Sequence, residues 1–368
     1  MNGQPKLYIA GMGMITPIGA NTAMTAAAVR AGVSGYAASR FFTEKTREPI
    51  TMARVPREVF DPEEFGFDKG SYRNIIMMSA IIAMREALAS QSIKKPIPLL
   101  LTVTEPGVAS MDRKLLVSHL ADQKGLPIHV DLVRYIDSGR AAGIEGLVLA
   151  HHLLTQQRAD YVLLGGSDSH ADVVRLSELE KMDRLLTPES RDGFAPGEGA
   201  GFLLLTARPE LALVRNGYNI ALQTPGITEE PGHLHSREPY RGDGLDQAFK
   251  KALGEEARPN GVHSIYSSMN GEHHWAKEYG VAYLRNRDAF CDPVGIEHPA
   301  DCYGDLGAAT APVLIALAAE DLFKNTKARA HLVYSSSDQA KRGAVVVEKI
   351  AYAEGAAEVG VHQQSSHS

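Results

Sequence analysis

The sequence predicts an α/β protein built as a sandwich of five alternating helix and strand layers, with two related halves. Two observations support this prediction. One order of elements occurs twice: a helix led by small residues, a strand, a Ser-Asp pair, and an apolar strand that begins Gly-Ala. The helices and strands of both copies are also apolar throughout, which indicates burial between layers rather than one solvent-exposed face.

The repeated elements can be assigned to short stretches of the chain. In each copy the helix begins with Ala and Gly residues, which allow another backbone to approach closely. The first copy comprises a helix at 140–157, a strand at 161–164 and a strand at 199–206, and the second comprises a helix at 306–323, a strand at 330–334 and a strand at 343–350. We therefore expect an internal duplication with halves at 1–210 and 211–352.

Apolar periodicity and turn residues predict the other helices, strands and loops of the chain. The segment 128–135 alternates in polarity, which suits a strand at the edge of a sheet. The polar tail 353–368 is expected to be disordered. The remaining predictions are a strand at 7–10, a helix at 21–30, a loop at 49–70, a central apolar helix at 72–90, a strand at 98–103, a helix at 112–123 and a loop at 224–241.

Composition excludes several classes of function. The net charge is −6 and basic residues are scattered, so the chain has no block of Lys and Arg to neutralise nucleic-acid phosphates. Its only cysteines, Cys291 and Cys302, cannot form a disulfide framework or a CxxC zinc site. With no signal peptide and no apolar run long enough to cross a bilayer, we expect a cytoplasmic protein without membrane attachment.

Three strings resemble motifs of the β-ketoacyl-acyl-carrier-protein synthases, a thiolase-like family. They are residues 9–19 (IAGMGMITPIG), 159–166 (ADYVLLGG) and 191–201 (RDGFAPGEGAG), and they occur in the family's order. The glycine-rich third string is the most specific. The resemblance implies a thiolase-like five-layered fold, and it is stronger in the first half of the chain than in the second.

The positions that carry chemistry in this family are altered here. The family uses a cysteine thiolate at a helix N-terminus, two histidines, a lysine and a glycine-rich oxyanion loop. Aligning the motifs places Arg140 at the position of the family's nucleophile. Glu272 and Gly304 fall at the positions of the two histidines, and Pro299 falls at the position of the lysine. Residues 335–339 (SSSDQ) replace the glycine-rich loop. The resemblance therefore implies that no catalytic residue of this set remains.

A buried arginine at a helix N-terminus needs a negative partner, because both burial and the helix dipole disfavour it. We expect Glu272 to be that partner, with Asp137 and Asp305 as competing candidates, and the ion pair to fill the former acyl pocket. The candidate pocket residues are Arg140, Glu198, Glu272, Cys302, Asp305 and Ser336.

Other interpretations of these residues remain open. Glu198 lies in a glycine-rich loop that more often supports a site than contacts a substrate. Cys302 could be a relocated nucleophile, although such a cysteine is more often a small buried residue. The adjacent residues 272–274 (EHH) lack the spacing of a metal site, so neither a metal nor a cofactor is expected.

The sequence thus favours a synthase-like protein without catalysis, acting as a scaffold, adaptor or partner subunit. The family implies a homodimer across 128–135, or a heterodimer with another synthase-like subunit, since chain-length-factor subunits also lack the nucleophile. The string 270–280 (NGEHHWAKEYG) resembles thiolase-like proteins of type VI secretion effector clusters, which implies a secretion-effector partner. An acyl carrier protein is a further candidate partner. The alternative is a 3-oxoacyl synthase or acyltransferase that acts on acyl thioesters with unorthodox residues.

Overall fold

The computed structural model describes residues 6–65, 71–109, 111–156, 159–190, 192–254 and 261–352. Within these ranges the strands are β1 (Leu7–Ile15), β2 (Tyr36–Phe42), β3 (Pro49–Ala53), β4 (Leu99–Thr102), β5 (Val133–Ile136), β6 (Val162–Ser169), β7 (Glu198–Thr206), β8 (Tyr218–Leu222), β9 (Gly226–Glu229), β10 (Val262–Ser267), β11 (Phe290–Glu297), β12 (Ala330–Ser336) and β13 (Lys341–Ala351). The helices are α1 (Thr22–Arg30), α2 (Pro62–Phe65), α3 (Tyr72–Leu88), α4 (Arg113–Ala121), α5 (Ala142–Thr155), α6 (Val173–Lys181), α7 (Asp243–Leu253), α8 (His273–Arg285), α9 (Ala300–Tyr303) and α10 (Thr310–Lys324).

Ten strands form two sets of five with the same order. One set runs β5-β4-β6-β7-β1 and the other runs β11-β10-β12-β13-β8. In each set the first three strands are parallel and the last two pairings are antiparallel. A short pairing of β1 with β8, from Leu7 to Leu222 and from Tyr8 to Ala221, joins the sets. The repeated order of elements seen in the sequence therefore corresponds to a repeated strand topology.

Helices lie on both sides of each set of strands. Helix α3 packs on β1, β6 and β7, and α7 packs on β13 and on α8. Between the two sets, α5 contacts β6 while α10 contacts both β7 and β12. The resulting order of layers is helix, sheet, helix pair, sheet, helix. The predicted layered α/β class is confirmed.

The central pair α5 and α10 is close because its contact residues are small. A Cβ atom added to Gly143 would lie 2.5 Å from Pro312 Cδ and 2.9 Å from Ala311 Cβ. Pro312 is tolerated in the first turn of α10, where its missing N–H would have no intrahelical acceptor. Both helices begin with a short 3₁₀ turn, at Gly139–Ala141 and at Gly307–Ala309, and these turns contact each other. The two helix N-termini thus meet at one place.

Several predicted segments need correction. The segment 49–70 was expected to be a loop, but it contains β3 and α2. Strand β3 forms because Ile50 and Met52 are buried against α6. The predicted loop at 224–241 contains β9, which pairs with β13. The predicted strand at 128–135 is shorter in the structure: a 3₁₀ turn at Val130–Leu132 precedes β5, which does lie at the edge of its sheet.

Two predictions concern features that the structure leaves open. The expected division at 210/211 falls between the end of β7 and the start of β8 and stays a prediction. The tail at 353–368 lies outside the described residues. Among the described residues, no helix combines the length and the apolar character that a bilayer span requires.

Candidate functional site

Arg140 lies at the junction of the two central helices. It belongs to the 3₁₀ turn Gly139–Ala141 that leads into α5, and only 6% of its surface is exposed. Gly139 has a φ of +55°, a left-handed conformation that favours glycine. Arg140 is therefore a buried cation at a helix tip.

The guanidinium of Arg140 is bonded on each of its nitrogens. Its Nη1 donates to Asp305 Oδ2 at 2.6 Å, its Nη2 donates to Asp338 Oδ1 at 2.6 Å, and its Nε donates to the Ser336 carbonyl at 3.0 Å. The ring of Trp275 lies 4.5 Å from the guanidinium carbon. Burial alone would lower the pKa of Arg140, but the carboxylates of Asp338 and Asp305 raise it above its usual value. Two anions and an aromatic face thus compensate its burial.

Glu272 has a different partner from the one expected. Arg184 binds it through two hydrogen bonds, from Nε to Oε1 at 2.7 Å and from Nη2 to Oε2 at 2.8 Å. The predicted Arg140–Glu272 pair is therefore corrected: Arg140 pairs with the competing candidate Asp305 and with Asp338, which was not considered as a partner. The physical reason is the planar fork of Arg184, which occupies both carboxylate oxygens of Glu272.

Asp338 joins the two arginines into one network. It accepts from Arg184 Nη1 at 2.6 Å and Nη2 at 3.2 Å, in addition to its bond from Arg140. Although burial favours the protonated acid, the two arginines lower the pKa of Asp338 below its usual value. Asn270 Nδ2 bridges Glu272 Oε2 at 3.1 Å and Asp305 Oδ2 at 2.9 Å, which closes the network into a ring of contacts.

The remaining oxygen of Asp305 is also occupied. Asp305 Oδ1 accepts from the backbone N–H of Gly307 at 2.8 Å and lies 3.5 Å from His170 Nε2. Despite burial, Arg140 and His170 lower the pKa of Asp305 well below its usual value. Asp305 therefore serves as a permanently ionised counter-charge to Arg140.

A second buried ion pair lies next to this network. Arg342 Nε donates to Glu278 Oε1 and Ser336 Oγ donates to Glu278 Oε2, both at 2.5 Å. The hydroxyl of Ser336 is thereby directed towards Glu278, while its carbonyl holds Arg140. Ser336 supports the site through its backbone rather than through a reactive hydroxyl.

Two predicted pocket residues lie elsewhere. Glu198 is bound by Arg57 Nη1 at 2.6 Å, by the Val55 N–H at 3.0 Å and by Ser169 Oγ at 3.1 Å, so it anchors the glycine-rich loop. Cys302 lies in α9 and is buried, and burial raises the pKa of its thiol.

The other aligned positions have backbone roles. Pro299 precedes α9, and Gly304 ends it with a φ of +75°. Asp137, the third candidate partner for Arg140, is exposed. None of these three residues takes part in the ion-pair network as the structure describes it.

A partly open pocket of about 80 Å³ lies against the network. Of the predicted pocket residues, Arg140 and Asp305 line it, whereas Glu272 and Ser336 belong to the network without lining the pocket, and neither cysteine lines it. The described residues include no group of three or more His, Cys, Asp or Glu side chains placed to hold a metal ion.

Sequence reasoning missed Arg184 and underestimated Asp338. Arg184 follows α6 and lies in no recognisable motif, so only the folded chain brings it to Glu272. Asp338 carried a signal, because it is the counterpart of Asp168 in the duplicated Ser-Asp pair. Asp168 also binds an arginine, through Arg175 Nη1 at 2.8 Å.

Comparison with known proteins agrees with this architecture. Residues 132–210, which contain Arg140, match the family model described as "Beta-ketoacyl synthase, N-terminal domain". A comparison with curated protein sequences finds no match.

Solved structures give the class of fold. "The ishigamide ketosynthase/chain length factor" superposes with a TM-score of 0.70 at 17% identity, covering 94% of this chain and 99% of that one. A ketosynthase from module 1 of the bacillaene synthase of Bacillus amyloliquefaciens gives 0.71 at 14% identity, covering 97% and 75%. A chain from a ketosynthase in complex with its chain length factor, from Xenorhabdus doucetiae, gives 0.66 at 14% identity, covering 94% and 98%. The chain thus has the thiolase-like fold of the ketosynthases.

Proposed function

We propose that this chain is a ketosynthase-like protein that does not catalyse condensation and that acts as a partner, scaffold or adaptor subunit. The observation that carries the proposal is the buried Arg140 at the helix tip, bonded to Asp305 and Asp338. Thioester condensation requires a nucleophile at that point. A guanidinium stays protonated and has no lone pair to offer, so it cannot take this role.

The space beside Arg140 also argues against an acyl substrate. A pocket of about 80 Å³ is well below the several hundred Å³ of sites that enclose drug-sized ligands. An acyl chain that entered further would have to separate Arg140 from its carboxylates. Leaving a buried charge without its partner costs about 3–5 kcal/mol, which an apolar chain does not replace.

The alternative is an acyl-thioester enzyme that uses Cys302. Its raised thiol pKa reduces the thiolate fraction at neutral pH, which is the opposite of what a nucleophile needs. Cys302 is also buried in α9 and does not line the pocket. These observations favour the non-catalytic reading.

An acylation assay distinguishes the two functions. The full chain is incubated with malonyl and octanoyl thioesters of coenzyme A and of an acyl carrier protein, and its intact mass is measured, with an active ketosynthase as positive control. We expect no mass increase. An adduct that disappears in Cys302→Ala but persists in Cys291→Ala would replace this proposal with the enzymatic one.

The partner role can be tested separately. We propose that β5 is the dimer contact, because it lies at a sheet edge and exposes Tyr135, and because Val130 and Leu132 just before it are also exposed. Light scattering after size exclusion is expected to give a dimer for the pure chain and a monomer for Leu132→Glu, whereas Leu284→Glu, at an exposed position of α8, is the control. A monomeric wild type would leave only the heterodimer.

The identity of a partner follows from co-purification. We propose a second synthase-like subunit, an acyl carrier protein or a type VI secretion effector as candidates. The tagged chain is expressed together with the products of its neighbouring genes, and retained proteins are identified by mass spectrometry. Retention of a synthase-like subunit that is lost in Leu132→Glu supports the subunit role, and retention of an effector alone supports the adaptor role.

A further inference from the structure

We propose that a cluster of three arginines beside the glycine-rich loop, Arg40, Arg54 and Arg57, binds the phosphoryl group of a small molecule. The cluster lies on β2 and on the residues that directly follow β3. It has no ion pair in common with the network around Arg140, so the inference goes beyond the proposed function and does not rest on it. Three observations carry it: the counter-charges of the arginines, the buried carboxylate that holds two of them, and the hydrogen-bond donors that reach the surface.

Two of the arginines share a single carboxylate. Glu198 Oε1 lies 2.6 Å from Arg57 Nη1 and 3.7 Å from Arg54 Nε. Because both nitrogens face the same oxygen atom, the two guanidinium groups are neighbours. One buried anion therefore has to balance two cations.

Arg40 adds a third positive charge to this cluster. It is an exposed residue of β2, and β2 pairs with the strand that ends directly before Arg54. Among the residues that the structure describes, no acidic side chain lies within ion-pair distance of Arg40. Burial lowers the pKa of Arg54, and although Glu198 raises that pKa, the positive charges of Arg57 and Arg40 lower it further. The three guanidinium groups thus lie close enough to repel one another, and two of their positive charges stay uncompensated.

The shared carboxylate is fixed by other groups of the protein. Only 1% of Glu198 is exposed. Its Oε1 also accepts from the Val55 N–H at 3.0 Å, and its Oε2 accepts from Ser169 Oγ at 3.1 Å. Because both oxygens are engaged, Glu198 cannot turn towards Arg40. It holds Arg54 and Arg57 in place before a ligand arrives, which reduces the entropic cost of binding.

The donors that can meet a ligand belong to Arg40 and Arg54. In the Arg54 guanidinium Nε is enclosed by protein, but 28% of the side chain is exposed, so its two terminal nitrogens reach the surface. Arg57 has Nη1 on Glu198 and Nη2 enclosed, so it contributes charge rather than hydrogen bonds. The planar fork of an arginine donates two parallel hydrogen bonds to a phosphate group. Arg40 and Arg54 can therefore bind one phosphoryl group from two sides.

Charge and extent select the class of ligand. A phosphate monoester carries about −1.5 to −2 charges at pH 7, which matches the two uncompensated positive charges, whereas a carboxylate carries one. All three arginines come from one hairpin and the turn after it, so the cluster covers a single anionic group and not a long acidic segment. These features favour a small phosphorylated molecule over an extended macromolecule.

Isothermal titration calorimetry of the full chain at pH 7.5 and low salt tests the proposal with three probes: inorganic phosphate, glycerol 3-phosphate and acetate. We expect a Kd on the order of 1 mM for the two phosphates and binding of acetate that is at least about tenfold weaker. Tighter binding of glycerol 3-phosphate than of phosphate supports an organic phosphate as the ligand, and equal binding supports recognition of the phosphoryl group alone. Acetate that binds as tightly as phosphate would overturn the proposal. A phosphoserine peptide that binds at least about tenfold more tightly than glycerol 3-phosphate would replace the small molecule with a phosphorylated protein.

Variants at exposed positions identify the cluster without disturbing the fold. Arg40→Gln should weaken the binding of glycerol 3-phosphate about tenfold, because it removes one charged fork. Arg287→Gln is the matched control, since Arg287 is exposed and, in the described part of the chain, also has no ion pair. Unchanged binding in Arg40→Gln, or equal weakening in both variants, would show that the phosphate binds elsewhere. The acylation assay is independent of this measurement, because Arg40 and Arg140 have no partner in common.

Discussion

Replacing Asp338 with Asn tests whether the ion-pair network stabilises the fold. Asp338 accepts a hydrogen bond from Arg140 at 2.6 Å and two from Arg184 at 2.6 and 3.2 Å. Asparagine keeps the shape of the side chain but loses its charge, and its amide group would face a guanidinium. The substitution therefore removes the one anion that both arginines share.

The expected decrease in the free energy of unfolding of Asp338→Asn lies between two limits. Removing one partner of a fully buried ion pair costs about 3–5 kcal/mol, and an exposed pair contributes about 0–1 kcal/mol. The Asp338 side chain is 23% exposed. In addition, Arg140 keeps Asp305 and Arg184 keeps Glu272. We therefore expect Asp338→Asn to lower the free energy of unfolding by about 2 kcal/mol.

The assay uses the single tryptophan of the chain. Trp275 is buried against Arg140, so its emission reports on this site when the protein unfolds in urea. Asp160→Asn is the matched control, because Asp160 binds Arg208 Nη1 at 2.7 Å and both side chains are exposed. That control should change the free energy of unfolding by less than about 1 kcal/mol. Equal effects of the two substitutions would refute the assigned role of the network.

Three further predictions concern packing, thiol reactivity and pH. Gly143→Ala should lower the free energy of unfolding by about 1–3 kcal/mol, because its Cβ would lie 2.5 Å from Pro312 Cδ. Gly280→Ala, with open space around it, should be neutral or slightly stabilising, and urea unfolding that ranks the two in the opposite order would contradict this packing. Cys302 should react with Ellman's reagent at pH 8 only on unfolding, since it is buried and the pKa of its thiol is raised. Stoichiometric labelling of Cys302 in the folded protein would contradict that prediction. Because the folded-state pKa of Asp338 is lowered, its contribution should be present above its unfolded pKa of about 4 and lost as the pH falls further, so wild type and Asp338→Asn should converge in urea titrations towards pH 2.

The fold was predictable where the sequence repeats itself. The small-residue helix starts at Ala142 and Thr310 and the strands that follow gave the central helix pair and the layered order. The amphipathic helix α7 was missed although Leu245 and Phe249 recur at helical spacing, because the surrounding segment is polar. Strand β10 was missed because its short sequence, VHSIYS, mixes polar and apolar residues on a partly buried strand.

The site was predictable only in part, for a physical reason. Local motifs identified Arg140 and Asp305, which lie at the two helix tips that the duplication brings together. Arg140 has Asp338 rather than Glu272 as its second partner because Arg184 binds Glu272. Arg184 is 88 residues from Glu272 in the sequence. An ion pair at that separation leaves no periodicity or motif in a single sequence.

The same carboxylates should also control the reactivity of a thiol introduced at position 140. In Arg140→Cys, the new thiol would stand beside Asp305 and Asp338 at the point that the guanidinium now occupies. Nearby anions raise the pKa of a thiol, and they oppose the effect of the helix N-terminus, which lowers it. We expect the pKa of this thiol to exceed its ordinary value of about 8.5, with slow alkylation at pH 7. Iodoacetamide labelling followed by peptide mass spectrometry over pH 6–10 measures that pKa for this cysteine separately from the two native ones. A thiol pKa below about 7.5 would show that the helix N-terminus lowers the pKa by more than the two carboxylates raise it, which would contradict this expectation.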